Sequence, residues 1–146
     1  MIDGMGQGSE RQGRILVVDD SELMLEQAAA ALRSAGYDVV TTSKTVGASR
    51  HLAGSDLAII DFHMPGFDGA DLVQSMREAM RQANKHCLLY LYTSDEAVAG
   101  NFRKLGFDGC LLNKGDMRDL VAQVGAVFRL LHMRGIAGRV RKALEK

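Results

Sequence analysis

The chain has 146 residues, 47% of them hydrophobic, which suits one domain with a sizeable core. Its 18 basic residues balance 18 acidic ones, so no global field draws it to nucleic acid or to an anionic membrane. Cys87 and Cys110 show no metal-ligand spacing and read as small apolar strand residues, and no stretch is apolar for long enough to span a bilayer.

Residues 1–13 are Gly-rich and polar, lack the apolar core of a signal peptide, and read as a flexible tail. The chain is expected to be soluble and cytoplasmic. Arg14 to Val18 is a short apolar run predicted to be strand β1, ending at Asp19-Asp20. Ser21 is a candidate N-cap for helix α1, whose Leu25, Ala28, Ala29 and Leu32 recur at helical spacing until Gly36. Tyr37 to Thr41 reads as β2, and Val46 to Leu52 as a short, weak α2. Leu57 to Ile60 has no polar side for water, so it reads as a strand, β3, buried on both faces and opening onto Asp61. Asp68 is placed to cap α3, with an apolar face of Leu72, Met76, Ala79 and Met80.

His86 to Tyr92 is predicted as β4, running into Thr93-Ser94. A short α4 is expected over Asp95 to Leu105, weakened by Gly100. Gly109 to Asn113 reads as β5, ending at Lys114, and α5 follows over Asp116 to Leu131 with a stripe of Leu120, Val124, Val127, Phe128 and Leu131. Residues 132–146 carry five basic residues against Glu145, and Gly135 and Gly138 interrupt the helical pattern. They read as a basic extension or linker, leaving 14–131 as the domain. Strands alternating with helices throughout imply an α/β fold, a parallel sheet with helices on both faces.

In such a sheet, chemistry gathers at the C-terminal ends of the strands. Four strand ends here carry matching groups: Asp19 and Asp20, Asp61, Thr93, and Lys114. In their contexts, RILVVDDS, IIDFHMPGFDG, YLYTS and LLNKGD, this ordered set resembles the receiver domain of two-component response regulators. The resemblance covers residues 14–131. It implies a doubly wound five-stranded parallel sheet of order 2-1-3-4-5, the flavodoxin-like arrangement, which brings Asp19, Asp20 and Asp61 together. Two carboxylates about 5 Å apart repel by roughly 3 kcal/mol at an effective dielectric near 20. Three therefore need a cation, or one must take up a proton, and a hard divalent ion with oxygen ligands, Mg²⁺, suits them.

The resemblance further implies that Asp61 accepts a phosphoryl group from a sensor histidine kinase or phosphotransfer protein. Asp20, Asp61 and the backbone carbonyl of His63 would hold Mg²⁺ directly, with Asp19 acting through water. Lys114 and the Thr93 hydroxyl would pair with phosphoryl oxygens. His63 and Asp95 stand where the family tunes access of water to the phosphoryl group, although Asp95 is equally suited to cap α4. Output is expected through a protein target docking on α4, β5 and α5, with no direct nucleic acid binding and no membrane.

Two features depart from the family pattern. Gly115 stands where a proline usually follows the lysine, and β5 offers Cys110 or Leu111 where an aromatic residue is usual. A threonine shift coupled to rotation of that aromatic cannot operate unchanged. The alternative reading is a degenerate receiver, a binding module that signals without phosphorylation. A haloacid-dehalogenase-type phosphatase fits poorly, because its DxD motif is absent after β1 and the chain leaves no room for a cap domain.

Overall fold

The structure, a computed structural model, describes residues 12–44, 48–52, 54–61 and 69–144. Each apolar run becomes a strand: β1 Arg14–Val18, β2 Asp38–Thr42, β3 Leu57–Asp61, β4 Leu88–Tyr92 and β5 Gly109–Leu111. They pair in parallel in the order β2-β1-β3-β4-β5, as expected. All five residues of β3 are buried, which places it at the centre.

Because side chains alternate across a strand, the sheet feeds two separate cores. On one face Ile15, Val17 and Ile59 meet Leu25, Ala28 and Leu32 of α1 (Glu22–Ser34) and Leu120, Val124 and Val127 of α5. On the other, Leu16, Val18, Ala58 and Ile60 meet Leu72, Val73, Met76 and Met80 of α3 (Gly69–Ala83). Ser21 caps α1, its hydroxyl accepting the Met24 N–H at 3.2 Å, and Gly36 leaves the helix at φ +101°. Gln12 and Gly13 are tied to the domain edge, through Gln12 N–H to the Gly36 carbonyl and Asp38 N–H to the Gly13 carbonyl. The expected tail ahead of them lies outside the described residues.

Several elements differ from the sequence pattern. The second helix is a 3-10 helix, Ala48–Leu52, and the expected capping residue Asp68 lies outside the described residues. The α4 helix covers only Glu96–Gly100, capped by Asp95, and residues 101–106 form turns instead of completing it. Its end is fixed where the Asn101 side chain donates to the Ala97 carbonyl at 3.0 Å, satisfying a terminal acceptor. Asn113 does not lengthen β5. It sits at φ +57°, outside the extended region, in the loop before α5.

The α5 helix runs over Met117–Leu144, 28 residues, straight through Gly135 and Gly138. A glycine costs a helix only about 1 kcal/mol relative to alanine, so two need not end it. Its domain portion is anchored by Phe128, whose ring lies 5.0 Å from that of Tyr37.

On the β4–β5 edge, Tyr90 registers with Gly109, and a Cβ on Gly109 would lie only 2.5 Å from the Tyr90 ring. The glycine thus makes room for an aromatic ring from the neighbouring strand over β5, where β5 has no aromatic of its own.

Cys87 is buried, and its thiol is pushed up to about 12, chiefly by burial and further by the nearby charges of Asp56 and Asp108. Thiolate is the reactive form, so iodoacetamide should leave Cys87 unmodified in native protein near neutral pH and alkylate it in denaturing urea. Mass mapping of the labelled peptides checks this, and fast native labelling of Cys87 would contradict the buried β3–β4 core.

Candidate functional site

Four strands bring a predicted residue to one edge of the sheet, at or just past their C-terminal ends. Asp19 follows β1 and is 2% exposed, while its neighbour Asp20 is exposed. The Asp19 N–H bonds the Thr42 carbonyl at 3.2 Å, extending the β1–β2 ladder by one residue and fixing the backbone there. Asp61 closes the buried β3, and Thr93 follows β4 with 3% exposure. The Thr93 N–H reaches the Leu111 carbonyl on β5, and its hydroxyl accepts the Asp95 N–H at 3.0 Å. Asp95 in turn accepts the Ala97 and Val98 N–H groups, so its carboxylate acts as the cap of α4.

The three carboxylates converge: oxygens of Asp19, Asp20 and Asp61 all lie within 4.8 Å of one another. Lys114 bridges two of them, its Nζ 2.8 Å from Asp19 Oδ2 and 3.1 Å from Asp61 Oδ1. The second Asp19 oxygen accepts the Ser21 N–H at 2.9 Å, linking the site to the start of α1. Burial raises the Asp19 carboxyl above its ordinary value, and the Lys114 and Ser21 bonds only partly oppose it. Burial would lower the Lys114 ammonium, but its contacts with Asp19 and Asp61 outweigh that and hold it above its ordinary value. Lys114 therefore stays charged, as a pairing cation must. An all-oxygen donor set with one exposed and two buried carboxylates fits a hard cation such as Mg²⁺. His63, expected to give a backbone carbonyl to that cation, lies outside the described residues.

The loop that carries Lys114 is held in ways the sequence pattern did not reveal. Gln123 of α5 grips Leu112 on both sides, accepting its N–H and donating to its carbonyl, each at 2.9 Å. Asn113 donates to Asp119, and Asp116 accepts the Asp119 N–H as a helix cap. Gly115 adopts φ +105°, a dihedral that L side chains avoid, and among the described residues no peptide bond is cis. Its N–H donates to the Tyr92 hydroxyl at 3.1 Å. Tyr92 reads from sequence as strand packing. Its ring is indeed buried in the core, but its hydroxyl reaches the loop. Only the sheet register, which sets β4 beside β5, could have exposed that link.

Comparison with known proteins identifies the family of the fold. The model of the response regulator receiver domain matches residues 15–125, and the chain belongs to that family. The sensory transduction protein RegX3 of Mycobacterium tuberculosis is 28% identical over 121 residues, covering 79% of this chain and 50% of that protein. The alkaline phosphatase synthesis transcriptional regulatory protein PhoP of Bacillus subtilis is 31% identical over 121 residues, covering 80% and 48%. The chain thus spans about half the length of the curated relatives it matches. Among solved structures, the chemotaxis response regulator CheY4 of Vibrio cholerae superposes with a TM-score of 0.65 at 21% identity, over 79% of this chain and 98% of that one. The receiver domain of the Francisella response regulator 1452 gives 0.66 at 19%, over 82% and 98%. At these identities the structural likeness concerns the fold.

Lys114 neutralises two buried carboxylates, so its removal should be costly in the absence of a divalent cation. Lys114→Met is expected to lose about 1–3 kcal/mol of stability, because the acids left behind must repel or take up a proton. Millimolar Mg²⁺ should recover part of the loss. Urea melts with and without Mg²⁺ check this, and an unchanged midpoint without the cation would show that the ammonium does not hold the acids together.

Proposed function

We propose that this receiver domain is a phosphorylation-dependent switch that takes a phosphoryl group onto Asp61 from a sensor histidine kinase or phosphotransfer protein. The observation that supports this reading is the Lys114 bridge between Asp19 and Asp61, inside a cluster of three carboxylates, with Thr93 buried just past the end of the adjacent strand β4. Each group has a task in phosphoryl transfer, where positioning and charge neutralisation supply most of the catalysis. An Asp61 oxygen attacks phosphorus, and an O–P bond forms as the donor's P–N bond breaks. The departing imidazole keeps the electron pair and takes a proton from solvent. Lys114 exchanges its contact with Asp61 for one phosphoryl oxygen, and the Thr93 hydroxyl donates to another. Asp20, Asp61 and the backbone carbonyl of His63 would hold Mg²⁺, with Asp19 reaching it through water. When bound, the ion supplies positive charge against the carboxylates and phosphoryl oxygens.

Output would leave through a protein target on the face of α4, β5 and α5. Thr93 and Lys114 stand at the edge of that face. A cavity of about 260 Å³ opens there between Leu88, Tyr90, Arg103, Asp108, Val127 and Leu130. The short α4 and the turns that follow bury few apolar side chains, the usual condition of an element that moves. Sites reserved for a cytoplasmic protein partner, without nucleic acid contact by this domain, fit the balanced charge.

Wild-type protein incubated with acetyl phosphate and Mg²⁺ should gain one phosphoryl group by intact mass, and Asp61→Asn none. Asp20→Ala should lose labelling together with the stabilisation by Mg²⁺, which at a tenfold excess over Kd is about 1.4 kcal/mol, or several degrees in Tm. Equal labelling of wild type and Asp61→Asn would sink the assignment, and no labelling of either would favour the phosphorylation-independent binding module.

Activation by phosphorylation or by beryllofluoride should alter amide exchange mainly across Thr93 to Leu131. Hydrogen-exchange mass spectrometry would locate the response, and changes confined to residues 21–56 would place the output on another face.

A further inference from the structure

We infer that Tyr92 is a positioning residue for Lys114: its hydroxyl holds the Lys114–Gly115 segment against the sheet, and so sets how firmly the lysine sits on the carboxylates. The inference deepens the functional reading above and rests on it. Tyr92 is the last residue of β4, in register with Asp61 on one side and Leu111 on the other. At 2% exposure, its ring is buried in the core that also holds Leu111, Leu120 and Val124. A hydroxyl carried that deep needs a partner, and it finds the N–H of Gly115, the residue next to Lys114.

That N–H is available because the residue after Lys114 is not a proline, which would have none. Nothing lies within 4 Å of where a Gly115 Cβ would be, so the glycine is required by its φ of +105° and not by crowding. With Asn113 at φ +57° on the other side, Lys114 stands between two left-handed residues in a tight loop. The described hydrogen bonds of Leu112, Asn113 and Asp116 run within the loop or to α5, whereas that of Gly115 runs to the central sheet. The Tyr92 bond therefore links the lysine loop to the strand that also delivers Thr93.

Two opposite effects follow. A lysine held in place pairs well with phosphoryl oxygens, and it also competes with a cation for Asp19 and Asp61. Freeing the loop should weaken the first and relieve the second. Tyr92→Phe keeps the ring and removes only the hydroxyl. Labelling of Asp61 by acetyl phosphate in Mg²⁺ should slow about tenfold, while Mg²⁺ measured by calorimetry without phosphodonor should bind about threefold more tightly. Exchange of the Gly115 amide should accelerate at least tenfold. In a Lys114→Ala background, adding Tyr92→Phe should change neither labelling nor Mg²⁺ affinity, because the hydroxyl acts through the lysine. Loss of labelling and of Mg²⁺ affinity together would mark plain structural damage and overturn the inference, as would unchanged values, or effects of equal size with and without Lys114. If the wild type takes up no phosphoryl group, the functional reading fails, and the Mg²⁺ titration alone then decides the role of Tyr92.

Discussion

The structure is organised around an electrostatic problem: three carboxylates brought to one edge of a parallel sheet. Asp19, Asp20 and Asp61 cannot share that edge as bare anions, because repulsion at these separations amounts to several kcal/mol. The ammonium of Lys114 answers it by sitting on Asp19 and Asp61 at once. The rest of the edge then serves to keep that lysine within reach. Asp19 is pinned from its other oxygen by the Ser21 N–H, so the start of α1 depends on the same carboxylate as the lysine. Asp61 is held by the most buried strand, and so cannot retreat from the charge it faces.

Much of this was legible in the residues themselves. A run such as Leu57-Ala58-Ile59-Ile60 admits few environments besides a doubly covered strand, and acids at two strand ends are strong signals because chemistry collects there. What escaped the sequence depends on contacts between distant residues. Nothing local to Gln123 says that it will grip Leu112, and nothing local to Tyr92 says that its hydroxyl will meet Gly115. Boundaries failed for a related reason. Gly135 and Gly138 interrupt the helical pattern in sequence, but the intrinsic cost of glycine is small compared with the sum of a continuing helix. At the end of α4 a side-chain bond from Asn101 decided the matter. Asn113 looked like strand by its neighbours and proved to be left-handed, a conformation that asparagine tolerates better than most residues.

The strand β5 has no aromatic residue of its own, and one from the neighbouring strand lies over it. Tyr90 reaches over from β4, and Gly109 clears the room for it. The ring stands at the boundary of the cavity between β4 and α5, with Arg103 and Asp108 at its rim. Asp108 is itself bound to Arg77 of α3 at 3.2 Å and accepts the Leu89 N–H, so the rim is braced from the opposite face of the sheet. Substitution at Gly109 would therefore be felt at Tyr90 first, and a larger residue there would have to evict the ring.

The length of α5 has a mechanical consequence. Phe128 is clamped against Tyr37, yet the helix continues to Leu144, which at 1.5 Å per residue puts its end about 24 Å beyond that anchor. A helix of that reach multiplies any tilt at its base. Tilting it by about 10° at the domain surface would carry its tip through about 4 Å, so a rearrangement too small to disturb the core would become large at the far end of the helix.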